Sequence, residues 1–365
     1  SIKRLGHGNA IPQGFNHTIL PLDKEENARL QIAWGIEDFQ YHFNRDPEGM
    51  WLPECAVNET VIDLLSQAGI KFIILSPWQC NAVENEEGKI IELGSNPAPY
   101  REPYILTGKR GGEITAFFYE PSLASGISFG HYLRNADSLY STLLDIKNRD
   151  KSPIIHTATD GEIYGHHEPY GDMALAALIK KVNDGDDFIF DNYGSYMAKH
   201  PATKHAVLRK GEEGKGTSWS CSHGVSRWYK DCGCHTGGDE GWNQKWRTGL
   251  RNALNNLGDK IDAIFSREID IIFKGQLSSQ DLLIEAGNVF CGKVDMKRFI
   301  SSLSDKYGIT NNDSEKLAHL LTGMKYKHFS FTSCGWFFSE LSGIEPRQDI
   351  KYAIHAITLF QQFTQ

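Results

Sequence analysis

Met50-Trp51-Leu52-Pro53-Glu54-Cys55 is an apolar, proline-stiffened run that delivers a single acid. An unpaired charge at the apolar end of a buried strand is costly, so Glu54 has either a partner or a job. Just downstream, Asn58 is placed to cap a helix whose apolar residues Val61, Ile62, Leu64, Leu65 and Ala68 share one face, and Gly69 to stop it. Lys71 to Ser76 then reads as a buried strand of β-branched and aromatic residues. The strand–helix–strand unit, about 25 residues long, is the repeat of a parallel sheet or barrel, with Glu54 at the carboxyl end of the first strand, where such folds keep their chemistry. The structural alternative has Glu54 capping the helix or pairing with an arginine.

Upstream, Gly14 to Leu22 is strand-like after a polar turn, and Asn16 and His17 are suited to hydrogen-bond a hydroxylated ligand, although a loop histidine is also a common structural residue. Asp23 to His42 carries a helical stripe. Downstream, Asn81 to Arg110 has no sustained periodicity and is taken as an excursion from the sheet. Glu113 to Tyr119 reads as a strand and Leu133 to Lys147 as a helix. Pro153 to Thr159 is a short apolar strand that runs into Asp160-Gly161-Glu162-Ile163-Tyr164-Gly165-His166-His167. Such a density of ionisable groups past a strand end is poor for stability and typical of sites where carboxylates are tuned. A packing helix follows, with Asp172 as its cap and Leu175, Leu178, Ile179 and Val182 as its stripe.

Gly185 to Pro201 suggests a strand or hairpin, and Lys204 to Gly216 a polar loop. Cys221, His223, Cys232, Cys234 and His235 then fall within fifteen residues. Their Cys-x-Cys spacing is not a common zinc-finger pattern, so the segment is read as a reduced, glycine-rich active-site loop, with a structural metal as the alternative. Trp219 and Trp228 suit stacking on a sugar ring or burial in a core. From Trp242 the pattern turns helical, interrupted by the aromatic stretch Phe331 to Phe338, where Trp336 either closes a sugar cleft or packs inside.

The 365-residue chain has a net charge of −8 and no long basic run, which argues against a nucleic-acid surface. Seven cysteines without even spacing, no apolar run long enough to span a bilayer and no visible signal peptide point to a cytoplasmic protein without membrane contact. Tyr, Trp and Phe make up 11% of residues, which suits a groove that binds neutral polymers. Glu54 and Asp160, at the ends of two parallel strands, have the arrangement of glycoside hydrolysis, in which carboxylates about 5–5.5 Å apart give retention. A metal site from Asp160, His166 and His167 competes, although adjacent histidines rarely ligate one ion.

The segments GMWLPECAVNETVIDLL (49–65), KFIILSP (71–77) and HTATDGEIYGHHEPYGD (156–172) resemble glycoside hydrolase family 57, whose members act on α-glucans with retention. The resemblance implies Glu54 as nucleophile and Asp160 as acid/base. GNAIPQGFNHTILPL (8–22) looks like the family's second conserved region, with His17 as its substrate-side histidine, whereas the first-strand His-Gln-Pro motif has no match. SWSCSHG (218–224) and SCGWFF (333–338) look like a branch of the family with a helical C-terminal extension.

The expected fold is therefore α/β: a distorted (β/α)7-type, TIM-like barrel lacking its first strand over residues 1–200, a Cys/Trp-rich active-site loop over 201–241 and a mainly α-helical domain over 242–365. The expected function is retaining hydrolysis or transglycosylation of an α-glucan, of amylase, 4-α-glucanotransferase or branching type. The substrate, an oligo- or polysaccharide, is assigned to His17, Trp51, Glu162, His166, Trp219, His223, Trp228 and Trp336, with no cofactor and no metal ligand. The alternatives are a glycan-binding protein whose catalysis has lapsed and a metal-dependent carbohydrate hydrolase or deacetylase on a similar barrel.

Overall fold

A computed structural model describes residues 1–364, and its contacts divide the chain into two units. Residues 1–11, 71–107 and 111–209 form the first, and residues 12–70, 108–110 and 210–365 the second. Among the described residues are seven short strands: β1 (Gly49–Met50), β2 (Phe72–Leu75), β3 (Cys80–Glu84), β4 (Ile90–Glu92), β5 (Tyr104–Thr107), β6 (Glu113–Phe118) and β7 (Lys204–Leu208).

Strands β2 to β7 belong to the first unit and are hydrogen-bonded in the order β2-β6-β5-β7-β3-β4. The sheet is mixed: β2 runs parallel to β6 and β5 to β7, while β5–β6, β3–β7 and β3–β4 are antiparallel. All four residues of β2 are buried, as a continuous apolar run requires. The supposed excursion at 81–110 in fact contributes β3, β4 and β5, and the supposed polar loop after Lys204 contributes β7. Their short, partly exposed strands draw on ladder hydrogen bonds from distant segments, which leaves little local apolar signal. Pro153 to Thr159, expected as a strand, has no regular structure, and Asn192 caps a helix, Tyr193–Lys199, where a hairpin was expected. Helices Ala136–Asp150 and Gly171–Asp184 pack through Leu139, Tyr140, Ile146, Leu178 and Val182.

The second unit is built on helices Glu25–Phe43, Glu59–Gln67, Trp246–Phe273, Ser279–Phe290, Met296–Tyr307, Asn311–Phe329 and Ile344–Phe360. Asn58 Oδ1 accepts from Val61 N at 3.0 Å, the expected cap. Gly14 to Leu22, expected as a strand, is irregular and ends in a 3-10 turn, Leu20–Leu22, because Pro21 stands at its start. Trp34 centres the helical core: its indole N–H donates to Leu283 O at 2.7 Å, and its ring meets Phe290 and His328 edge-on with centroids 5.0 and 4.8 Å apart.

Candidate active site

In the second unit, the acid of the opening motif sits on a turn that side chains rarely adopt. Glu54 and Cys55 both have left-handed backbones, with φ of 57° and 49°. Two such non-glycine residues in succession cost on the order of 1–2 kcal/mol each and persist where surrounding structure over-determines them. The restraint here is a short antiparallel pairing. Val57 N donates to Thr217 O at 2.9 Å, Thr217 N to Val57 O at 3.0 Å and Trp219 N to Glu54 O at 3.0 Å. That register brings two donors onto one carboxylate oxygen: Ser220 Oγ donates to Glu54 Oε2 at 2.6 Å and Trp219 Nε1 at 3.1 Å. Among the described residues no hydrogen bond reaches Oε1, so the carboxylate is clamped by one oxygen and presents the other.

Trp51 and Trp219, both half-buried, meet in a T with centroids 5.1 Å apart. His17 also has a left-handed backbone, with φ of 55°, and its Nδ1 lies 2.8 Å from Ser333 Oγ. Its neighbour Asn16 is buried and held by Gln31, whose Oε1 accepts from Asn16 N at 2.7 Å. Beside Ser333, desolvation and then the charge of Glu54 push the Cys334 thiol above its usual range. Ser220, Ser333 and Cys334 were not singled out from the sequence. Adjacency to Trp219 and Trp336 was their only signal.

Two tryptophans assigned to the sugar are corrected. Trp228 and Trp336 are both 0% exposed. The Trp228 indole N–H donates to Ser333 O at 3.1 Å and that of Trp336 to Arg247 O at 3.3 Å, so each polar handle is spent on a carbonyl inside the core. His223 lies half-buried beside three cysteines. Its Nδ1 is 3.4 Å from Cys234 Sγ, and it gathers with Cys221, Cys232 and Cys234 so that all four potential ligand atoms lie within 4.8 Å of one another. His235, by contrast, is exposed and its Nδ1 accepts from Gly237 N at 3.1 Å. The loop expected to be a reduced glycine-rich rim is thus organised by four potential ligands. Within it, the hydrogen bond from Cys221 pushes the Cys232 thiol down to about 5.

The remaining candidates belong to the first unit. Asp160, Glu162, His166 and His167 are exposed: Asp160 stands at the start of a 3-10 turn, Gly161–Ile163, Glu162 lies within it, and the histidines follow on the loop beyond. The loop is anchored by a carboxylate that sequence reasoning passed over. Glu168, 7% exposed, accepts from Arg134 Nε at 2.8 Å and pairs with His131, and the hydrogen bonds from Arg134 and His131 hold it below the usual range. Thr159 Oγ1 and Tyr164 Oη lie 2.9 Å apart and close the other side. His156 is structural: burial pushes its pKa down to about 4, and its ring bridges Tyr193 Oη at 3.1 Å and Tyr100 O at 3.2 Å.

Glycosyl hydrolase family 57 matches residues 2–205, and a domain of unknown function (DUF3536) matches residues 242–365. An alpha-amylase of Pyrococcus abyssi is 22% identical over 205 residues, 54% of this chain and 29% of the amylase. An exo-type maltose-forming amylase from Pyrococcus sp. ST04 superposes with a TM-score of 0.74 at 13% identity, over 97% of this chain and 62% of that one. A branching enzyme from Thermococcus kodakaraensis superposes with a TM-score of 0.61 at 17% identity, over 99% and 66%. The chain therefore spans less than a third of the curated amylase, and the superpositions establish the fold class: a distorted (β/α)7-type barrel with a helical C-terminal region. With the profile covering more than half of its residues, the chain belongs to glycosyl hydrolase family 57.

Proposed function

We propose that the protein is a retaining α-glucan-active enzyme in which Glu54 is the nucleophile and Asp160 the acid/base. The observation that carries this reading is the one-sided clamp on Glu54, with Oε2 held by Ser220 and Trp219 and Oε1 presented on a left-handed turn. A carboxylate that only caps a helix or closes an ion pair has no need of that arrangement, whereas a nucleophile needs one oxygen oriented and the other able to attack. In the first step Glu54 Oε1 bonds to the anomeric carbon while Asp160 protonates the departing glycosidic oxygen. In the second, Asp160 takes a proton from water or a sugar hydroxyl, which displaces the glycosyl group from Glu54. Trp51 and Trp219 offer half-exposed rings for stacking, with His17 as a polar contact to a sugar hydroxyl.

Relatives described as amylase and branching enzyme support an α-glucan substrate. Chromatography of the products formed from amylose separates hydrolysis, disproportionation and branching. Glu54→Gln is nearly isosteric and cannot form the glycosyl ester, so activity falls by several orders of magnitude with the fold unchanged. Near wild-type rates on an activated glucoside would overturn the nucleophile assignment. Asp160→Ala still forms the intermediate from substrates with good leaving groups, fails on natural glucan, and is rescued by azide in the second step. Equal loss on both substrates without an azide response removes Asp160 from the acid/base role.

A further inference from the structure

The Cys221–Cys234 loop has no part in the chemistry proposed above, yet it gathers three sulfurs and an imidazole at spacings that a metal explains. Cys221 Sγ lies 3.9 Å from Cys232 Sγ and 3.8 Å from Cys234 Sγ, and Cys234 Sγ lies 3.4 Å from His223 Nδ1. A tetrahedral zinc with Zn–S near 2.3 Å and Zn–N near 2.1 Å places its sulfurs about 3.8 Å apart and sulfur from nitrogen about 3.6 Å apart. A disulfide requires sulfurs about 2.0 Å apart, and all seven cysteines of the structure are free. We propose that Cys221, His223, Cys232 and Cys234 bind one structural zinc ion in a Cys3His site.

Local backbone and charge both fit such a site. Gly233 has φ of 80°, a left-handed value that suits glycine and turns Cys232 and Cys234 towards one centre, and Asp231 Oδ1 accepts its N–H at 3.2 Å. Arg247 is 0% and Arg227 6% exposed, and among the described residues neither Nε has an acceptor. Two buried guanidinium groups without a carboxylate partner are unfavourable. Three thiolates on a divalent ion carry a net charge of −1, which offsets part of theirs. Arg247 also ties its own helix to the cluster by donating to Cys234 O at 2.7 Å. Residues 231–243 contain no helix or strand, and metal ligation supplies folding free energy where regular structure does not.

The site begins one residue after Ser220, so the ion also fixes the segment that clamps Glu54. That consequence rests on the nucleophile reading; metal binding does not. The test is therefore made on metal content first. Protein expressed with zinc and kept reduced should carry about one zinc per chain by elemental analysis, and titration of its thiols with an organomercurial should release that zinc. Refolding with Co2+ should produce the intense visible bands of a tetrahedral thiolate site. Cys232→Ser and His223→Ala should lose the metal and melt at lower temperature, while Cys291→Ser, outside the cluster, keeps it. Wild-type protein that holds neither zinc nor a cobalt spectrum, iron in place of zinc, or zinc retained by both cluster variants overturns the proposal. Should either cluster variant fail to fold, thiol titration and cobalt spectra of the wild type still decide it.

Discussion

Glu54 is aimed by neighbours that lie more than 160 positions away in the chain. Ser220 contributes the shorter of the two hydrogen bonds to Oε2, and its loss frees the carboxylate to rotate about the remaining Trp219 contact. Misplacing a reacting group by about 1 Å costs roughly 10²-fold. Ser220→Ala is therefore expected to lower kcat by about 10²-fold with little change in KM and melting temperature, as steady-state kinetics on maltooligosaccharides and a thermal melt will read. An unchanged kcat would mean that the clamp does not orient the nucleophile. At this scale the sequence singles out Glu54 and Asp160 because acids at the end of apolar runs stand out, and their roles rest on the proposal above. Trp228 and Trp336 were misassigned because a tryptophan in a glycine-rich loop looks the same whether its ring meets a sugar or a core.

At the scale of elements, the helix Ser279–Phe290 illustrates a contest between local propensity and packing. A mid-helix glycine replaced by alanine ordinarily gains up to about 1 kcal/mol. At Gly287, however, a Cβ would stand 2.6 Å from Cδ1 of Trp34, a fully buried ring with no room to retreat. Overpacking of that kind costs about 1–3 kcal/mol, so packing wins. Gly287→Ala should lower the denaturant midpoint without altering the m-value. A rise in the midpoint would show that the ring yields. Helices Glu25–Phe43, Glu59–Gln67 and Trp246–Phe273 and strands β2 and β6 were readable from periodicity and caps. Strands β3, β4, β5 and β7 were not, since three to five residues that alternate poorly carry almost no period, and their partners lie in distant segments.

At the scale of the molecule, stability carries a pH signature set by a buried acid in the helical unit. Asp349 is 3% exposed and its Oδ2 has no hydrogen-bond partner among the described residues, so desolvation pushes its pKa up to about 9, against the pull of Arg251. A carboxyl whose folded pKa is raised keeps its proton when folded and loses it when unfolded. Stability therefore falls as pH rises from its unfolded value of 3.8 towards about 9, with a slope of up to about 1.4 kcal/mol per pH unit. Burial pushes Asp23 to about 6, which adds to the slope in the lower part of that window. Asp349→Asn should flatten the curve between about pH 6 and 9, measured as unfolding midpoints across pH. Parallel curves for the two proteins would show that Asp349 is ionised in the fold.

The sequence by itself determined the family, the class of fold and the helical character of the C-terminal third. Each of these is written in local spacing: an apolar run with one acid, a stripe every three or four residues, a motif of fixed length. Only the tertiary structure decided that residues 12–70 group with residues 210–365, that Ser220 and Trp219 grip one oxygen of Glu54, and that Trp228 and Trp336 are core. It also decided that three cysteines and His223, with His235 left out, converge on one centre. The reason is physical: these depend on which distant surfaces exclude water from one another and on where a left-handed turn aims a side chain, and neither leaves a period in the chain.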